Sequence, residues 1–273
     1  MRAVLVLLAA GVAFAQIDDR STEHKSYAGV RELVIDNVRG DIEVTASTGS
    51  SVEMDIEKTL SATSQDRLAI AKKEITLSER REGGLVEVMV DGPFRCHCSD
   101  NSINFHGDSL YSFRYAFKIR VPKNISLDLR TVNGSDIRVT GTSGDFRIRN
   151  VNGGIEMRDV EGSGSVNTVN GGVKVTFARN PTGATSFKSV NGTLDVAFVP
   201  GLNADVRMKT FNGGMYTDFP VSAAPVAVNQ PEHRDGKLVW RSNRTTAVRI
   251  GSGGTELSFE TLNGEVLIRS QEK

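Results

Sequence analysis

A short apolar-Asn-Gly unit recurs through the second half of this chain, and it constrains the fold more than any other feature. Its copies read LRTVNGSDIRV, IRNVNGGIEM, VNTVNGGVKV, FKSVNGTLDV, MKTFNGGMYT and FETLNGEVLI. The asparagines stand at 133, 152, 170, 191 and 212, at intervals of 19, 18, 21 and 21 residues, with a last copy at 263. IDNVRGDIEV, residues 35 to 44, keeps the pattern with Arg39 in the asparagine place. A unit this regular reads as a structural repeat, because a residue present in every coil is one that every coil requires.

Each copy alternates apolar and polar residues after its Gly, the period of a strand with one buried face. Asn-Gly tolerates positive φ and marks a sharp turn, which between alternating runs is also a hairpin signal. The constant polarity of the repeat, and the second Gly-marked corner in TGTSGD and EGSGS, favour stacked coils instead. The expected fold is all-β: a parallel β-solenoid of about 20-residue coils behind a strand-rich N-terminal cap with one short helix.

Stacking places equivalent residues in columns. Val132, Val151, Val169, Val190, Phe211 and Leu262 are expected as one internal column. Ile137, Ile155, Val173, Leu194, Met215 and Val266 are expected as a second, and Thr131, Asn150, Thr168, Ser189, Thr210 and Thr261 as a small polar column. Asn133, Asn152, Asn170, Asn191, Asn212 and Asn263 are expected as a ladder at the turn that satisfies corner backbone groups.

The segment FKIRVPKNISLDLRTVNGSDIRVTGTSGDFRIRNVNGGIEM and the closing GSGGTELSFETLNGEVLI resemble the bacterial putative-adhesin family, domains of unknown function built from β-strand repeats. The resemblance spans about residues 28 to 270, broken at 92 to 111 and 219 to 248. It implies a right-handed β-solenoid-like fold in the cell envelope and carries over no catalytic residues.

The remaining chain divides by texture. MRAVLVLLAAGVAFAQ reads as a secretory signal peptide, residues 1 to 15, cleaved before Gln16. No cysteine at that point suggests a lipid anchor, so an exported periplasmic, secreted or surface-associated protein is expected. Residues 16 to 121 are expected to cap the coils and 122 to 273 to form them. Within the cap, SVEMDIEKTL, ITLSER, LVEVMVDG and SFRYAFKIRVP read as strands. TSQDRLAIAKKE reads as a short helix with Thr63 or Ser64 as its N-cap. PVAVNQPEHRDGKLVWRSNR breaks the period and reads as a hairpin on the last coils, with Trp240 buried against them.

The chain has 33 basic and 33 acidic residues, which removes a global pull toward nucleic acid and leaves only local charge selectivity. Motifs for a nucleophile elbow, a zincin helix or a phosphate loop are absent, and no cofactor is expected. The only two cysteines, Cys96 and Cys98, flank His97 with His106 nearby. In an exported protein they read as a local disulfide, or alternatively as soft ligands for zinc or copper. Arg138, Glu156, Lys174 and Asp195 alternate in sign down one outward column, as a solvated ladder does. Arg130, Arg149, Asn167, Lys188 and Lys209, joined by Arg147, form a column with no acid before Glu260. That stripe is the candidate contact for a linear anionic polymer such as a surface polysaccharide. The function expected is thus a non-enzymatic envelope adhesin or binding scaffold. The alternatives are a solenoid hydrolase or lyase acting on polysaccharide, and a metal- or redox-responsive protein using Cys96 and Cys98.

Overall fold

The computed structural model describes residues 16–95, 111–224 and 245–271, with the backbone alone at 232–234 and 237–239. The signal peptide, the Cys96, His97, Cys98 and His106 segment and Trp240 lie outside the described residues.

Two large sheets carry the chain. Sheet A runs in the order β1 (Ile17–Ala28), β4 (Ser51–Ala62), β7 (Tyr111–Pro122), β3 (Ile42–Ser47), β9 (Ile137–Thr140), β11 (Ile155–Val160), β13 (Val173–Phe177), β15 (Leu194–Phe198), β23 (Val266–Ser270) and β17 (Met215–Thr217). Sheet B runs β18 (Val221–Ala223), β21 (Thr246–Ile250), β16 (Ala204–Asn212), β22 (Thr255–Asn263), β14 (Thr185–Asn191), β12 (Gly164–Asn167), β10 (Phe146–Arg149), β8 (Ser126–Arg130), β2 (Glu32–Asp36), β6 (Leu85–Asp91) and β5 (Thr76–Glu82). A hairpin of β19 (Glu232–Arg234) and β20 (Lys237–Val239) stands as a separate ladder.

The sheets are mixed rather than purely parallel, which corrects the simplest expectation from the repeat. Parallel pairing holds from β7 to β17 in sheet A and from β16 to β6 in sheet B. Outside those blocks, β1, β4, β5, β18 and β21 pair antiparallel. Among these antiparallel pairs β5 and β6 form a hairpin across Gly83 and Gly84, while the others join strands that are not consecutive in the chain.

Sequence order and spatial order also part company. β22 lies between β14 and β16, and β23 lies between β15 and β17. The last repeat in the chain is therefore the penultimate rung of the stack.

Inward residues from both sheets form one core. Phe177 on β13 stacks with Phe198 on β15 at 5.2 Å and meets Phe187 on β14 edge-on at 6.3 Å. Phe187 in turn stacks on Phe259 at 5.1 Å, so aromatic contacts join the two sheets and tie the C-terminal rung into the core. Ile137, Ile155, Val173, Leu194 and Val266 are buried as expected, and Met215 at the stack end is half-buried.

At the opposite end α1 (Gln65–Glu74) starts where Ser64 accepts a hydrogen bond from the Arg67 backbone N–H at 3.3 Å. Leu68 and Ala71 are its buried residues. The edge strands there carry charge, as exposed edges commonly do. Lys25 on β1 bridges Glu79 on β5 at 3.1 Å, and Lys72 on α1 bridges Asp19 on β1 at 2.9 Å.

Candidate polymer-binding face

The corner after each sheet B strand sets the geometry. Asn152 donates through Nδ2 to Asn133 Oδ1 at 3.2 Å, Asn170 to Asn152 at 2.8 Å and Asn191 to Asn170 at 2.7 Å. Asn263 donates to Asn191 and Asn212 to Asn263, both at 2.7 Å. Arg39 occupies the matching place beside Asn133.

Just inside this ladder the small polar residues face the interior and satisfy the corner of the neighbouring rung. Thr168 donates to the Gly153 carbonyl at 2.9 Å, Ser189 to that of Gly171 at 3.0 Å and Thr261 to that of Gly192 at 3.0 Å. Thr210 does the same to Gly264 at 3.1 Å, Thr131 to Gly40 at 3.3 Å, and Asn150 to the Ser135 carbonyl at 2.7 Å. A buried carbonyl without such a donor would be costly.

At Gly153, Gly171 and Gly192 the corner glycine answers to packing rather than to the positive φ that Asn-Gly suggested, whereas Gly134 does adopt positive φ, at 60°. Asp159 is the single non-glycine with positive φ among the described residues, and Gly153, Gly171 and Gly192 do not adopt it. A Cβ on Gly171 would stand 2.1 Å from the Gly153 carbonyl oxygen, and one on Gly192 would stand 2.0 Å from that of Gly171. Rungs approach there too closely for any side chain.

The expected internal column of Val132, Val151, Val169, Val190, Phe211 and Leu262 is turned outward. Val169 is 37%, Val190 38%, Leu262 46% and Phe211 61% exposed. The strand period of two explains the correction: these residues lie two positions after the outward cations, so both rows share a face and the residue between them points in.

On that face register brings Asp36, Arg130, Arg149, Asn167, Lys188, Glu260 and Lys209 into one row across seven strands. Two features of the expected stripe change. Lys188 and Lys209 are not neighbours, because β22 sets Glu260 between them at 3.4 and 3.0 Å. Each arginine also meets an acid: Arg149 lies 2.8 Å and Arg147 3.4 Å from Asp128, and Arg130 lies 3.8 Å from Asp36. Hydrogen bonding to Lys209, with Lys188 adding to it, holds the Glu260 carboxyl below its usual range. Exposed pairs of this kind contribute about 0.2–1 kcal/mol each and leave the cations reachable.

Asp36 is engaged from inside as well. Buried Arg95 places Nη1 3.0 Å from Asp36 Oδ2, Nη2 3.1 Å from the Asp36 carbonyl and Nε 2.6 Å from that of Val90. Beside Arg147 the face dips into an open trough bounded by Ser126, Ser163, Ser165 and Ser186. Gly164 and Gly183 belong to the same trough, which is shallow because these strands bear small residues.

Sheet A presents the opposite pattern. His24, Asp55, Lys118, Glu43, Arg138, Glu156, Lys174 and Asp195 follow one another across eight strands, cation and acid alternating when His24 is protonated. Lys174 therefore separates Glu156 from Asp195, the two acids that a polysaccharide-cleaving reading would use. Glu43 lies in the degenerate copy IDNVRGDIEV, whereas His24, Asp55 and Lys118 sit on β1, β4 and β7, which no repeat signal aligns with the rungs. Among the described residues no group of three or more His, Cys, Asp or Glu side chains is placed to hold a metal ion.

No family model matches the chain, and no curated protein matches it. Similar solved structures include a putative cell adhesion protein from Clostridium sporogenes, 9% identical, with a TM-score of 0.45, 93% of this chain and 100% of that chain covered. Another is a putative adhesin from Bacteroides fragilis, 10% identical, with a TM-score of 0.42, 93% of this chain and 97% of that chain covered. Among the described residues no helix is long and apolar enough to cross a membrane.

Proposed function

We propose that this is an exported, non-enzymatic binding scaffold of the cell envelope, and that the outer face of sheet B holds a linear anionic polymer, an acidic polysaccharide. In this reading the repeats of 122–273 wind as rungs of a solenoid, while residues 16–121 seal one end of it. The observation that carries the reading is the placement of Arg130, Arg149 and Lys188, with Arg147 beside them, along the stack axis next to a serine-rich trough. A polymer running along that axis meets a cation or a hydroxyl at each rung, spaced about 4.8 Å. Glu32, Asp128 and Asp145 border the same trough, so an anionic chain is held on its corner side, where Arg130, Arg149 and Lys188 stand.

The test is binding of the purified protein to a polyuronate and to a neutral glucan at several salt concentrations. Binding to the polyuronate alone, weakened by salt and by Arg149→Gln with Lys188→Gln, supports the reading. Equal binding by that variant, or release of shortened product, overturns it.

A further inference from the structure

All six asparagines of the ladder precede a glycine, but the stack treats its two ends differently from its middle. In the four interior copies the glycine amide is committed to the next rung. Gly153 donates to the Asn170 carbonyl at 2.9 Å, Gly171 to that of Asn191 at 3.0 Å, and Gly192 and Gly264 to those of Asn263 and Asn212, both at 2.9 Å. At the ends that bond is missing. Beyond β16 the next strand, β21, pairs with it only over Ala204–Met208, and Gly213 donates to no carbonyl among the described residues. The first copy has one more residue than the others between its glycine and the buried strand, so Ser135 rather than Gly134 donates to the Asn152 carbonyl, at 3.3 Å. Gly134 is likewise left without an acceptor among the described residues, and both end glycines are exposed while the interior four are half-buried. The side chains follow suit. Asn133 only accepts, from Asn152, and Asn212 only donates, to Asn263, whereas each interior asparagine does both.

We propose that Asn133 and Asn212 are modification sites at which the folded protein deamidates spontaneously, the other four being protected by the stack. The glycine amide nitrogen gives its proton to hydroxide and bonds to Cγ of the preceding asparagine. The bond from Cγ to Nδ2 breaks and ammonia leaves. Water then opens the succinimide ring at either carbonyl, giving aspartate or its β-linked isomer. Glycine favours ring closure because it has no Cβ to crowd it. An amide held by a neighbouring rung reacts only from a locally opened state. Packing also keeps the end positions glycine: a Cβ on Gly213 would collide with the Gly264 carbonyl, and Gly134 has a φ of 60°.

The polarity of the ladder makes the two events unequal. An aspartate at 133 still accepts from Asn152, with Arg39 in the place on its other side. An aspartate at 212 cannot donate, and it turns a carboxylate oxygen toward Asn263 Oδ1. Conversion at 212 is therefore the event that loosens the terminal rung.

The test is peptide mapping by mass spectrometry of the folded protein held for weeks in mildly alkaline buffer, beside a sample held in urea. In the folded sample Asn133 and Asn212 should convert, with the interior four slower by roughly tenfold or more because each must first break its rung bonds. In urea all six should convert at similar rates. Interior asparagines that convert as fast as the ends in the folded protein would overturn the proposal, as would end asparagines that stay intact while the urea sample reacts. The consequence is read separately in variants that reproduce the aspartate product. Asn212→Asp should lower the Tm, and Asn133→Asp should leave it unchanged at neutral pH. A Tm for Asn212→Asp equal to that of the wild type would overturn the loosening of the terminal rung.

Discussion

Asn263 donates a hydrogen bond to Asn191 at 2.7 Å across 72 residues of sequence, and Asn212 donates to Asn263 in turn. The C-terminal repeat is thus inserted between two rungs that precede it in the chain. The terminal rung gains its partner only when residues 255 to 270 arrive, so the end of the stack is completed by the last residues of the chain.

Interior members of the ladder both give and accept. Asn191→Ala removes a bond to Asn170 and one from Asn263, and should destabilise the fold by about 1–2 kcal/mol in urea unfolding, at roughly 0.5–1.5 kcal/mol per bond. Asn212 makes only the bond to Asn263 among those described, and Asn212→Ala should cost about half as much.

The two glycines of the Val-Asn-Gly-Gly corner should separate sharply. Gly171→Ala forces its Cβ onto the Gly153 carbonyl at 2.1 Å, a backbone atom that cannot swing aside. A loss of about 3 kcal/mol or more is expected. Gly154 meets nothing closer than 3.5 Å and does not adopt positive φ, so Gly154→Ala should be neutral or stabilise by up to about 1 kcal/mol. Equal effects in thermal unfolding would refute the close-approach account.

Buried Arg95 holds Asp36 through a salt bridge at 3.0 Å. Truncating it in Arg95→Ala leaves a mostly buried carboxylate with only the more distant Arg130, and should cost about 3–5 kcal/mol in chemical denaturation. Asp36→Asn should recover part of that loss in the Arg95→Ala background, because the orphaned charge is then gone.

His24 links edge strand β1 to β4, with Nδ1 2.7 Å from Asp55 and Nε2 3.1 Å from Glu53. Arg120 reaches the same Asp55 at 3.5 Å. Donating from both ring nitrogens requires the imidazolium. The hydrogen bond to Asp55, followed by the charges of Asp55 and Glu53, raises the His24 pKa from its ordinary 6.5. A raised folded pKa means that this stabilisation is full below pH 6.5 and is lost as pH rises through the folded value. The Tm should therefore decline across that interval, and His24→Gln should flatten the decline. A wild-type profile already flat above pH 6.5 would contradict the clamp.

Sequence by itself determined the repeat unit, the strands that follow each corner, the helix with its cap at Thr63 or Ser64, and the columns from Ile137 to Val266 and from Thr131 to Thr261. These follow from local periodicity, and the columns recur because each copy solves the same corner. Tertiary structure alone decided the order of rungs, since nothing local tells the copy at Asn263 to enter between Asn191 and Asn212. That insertion places Glu260 between Lys188 and Lys209 and so interrupts the cationic row. Tertiary packing also made glycine obligatory at Gly171 and Gly192. The order of rungs and the closeness between them are properties of the stacked chain, not of the single repeat.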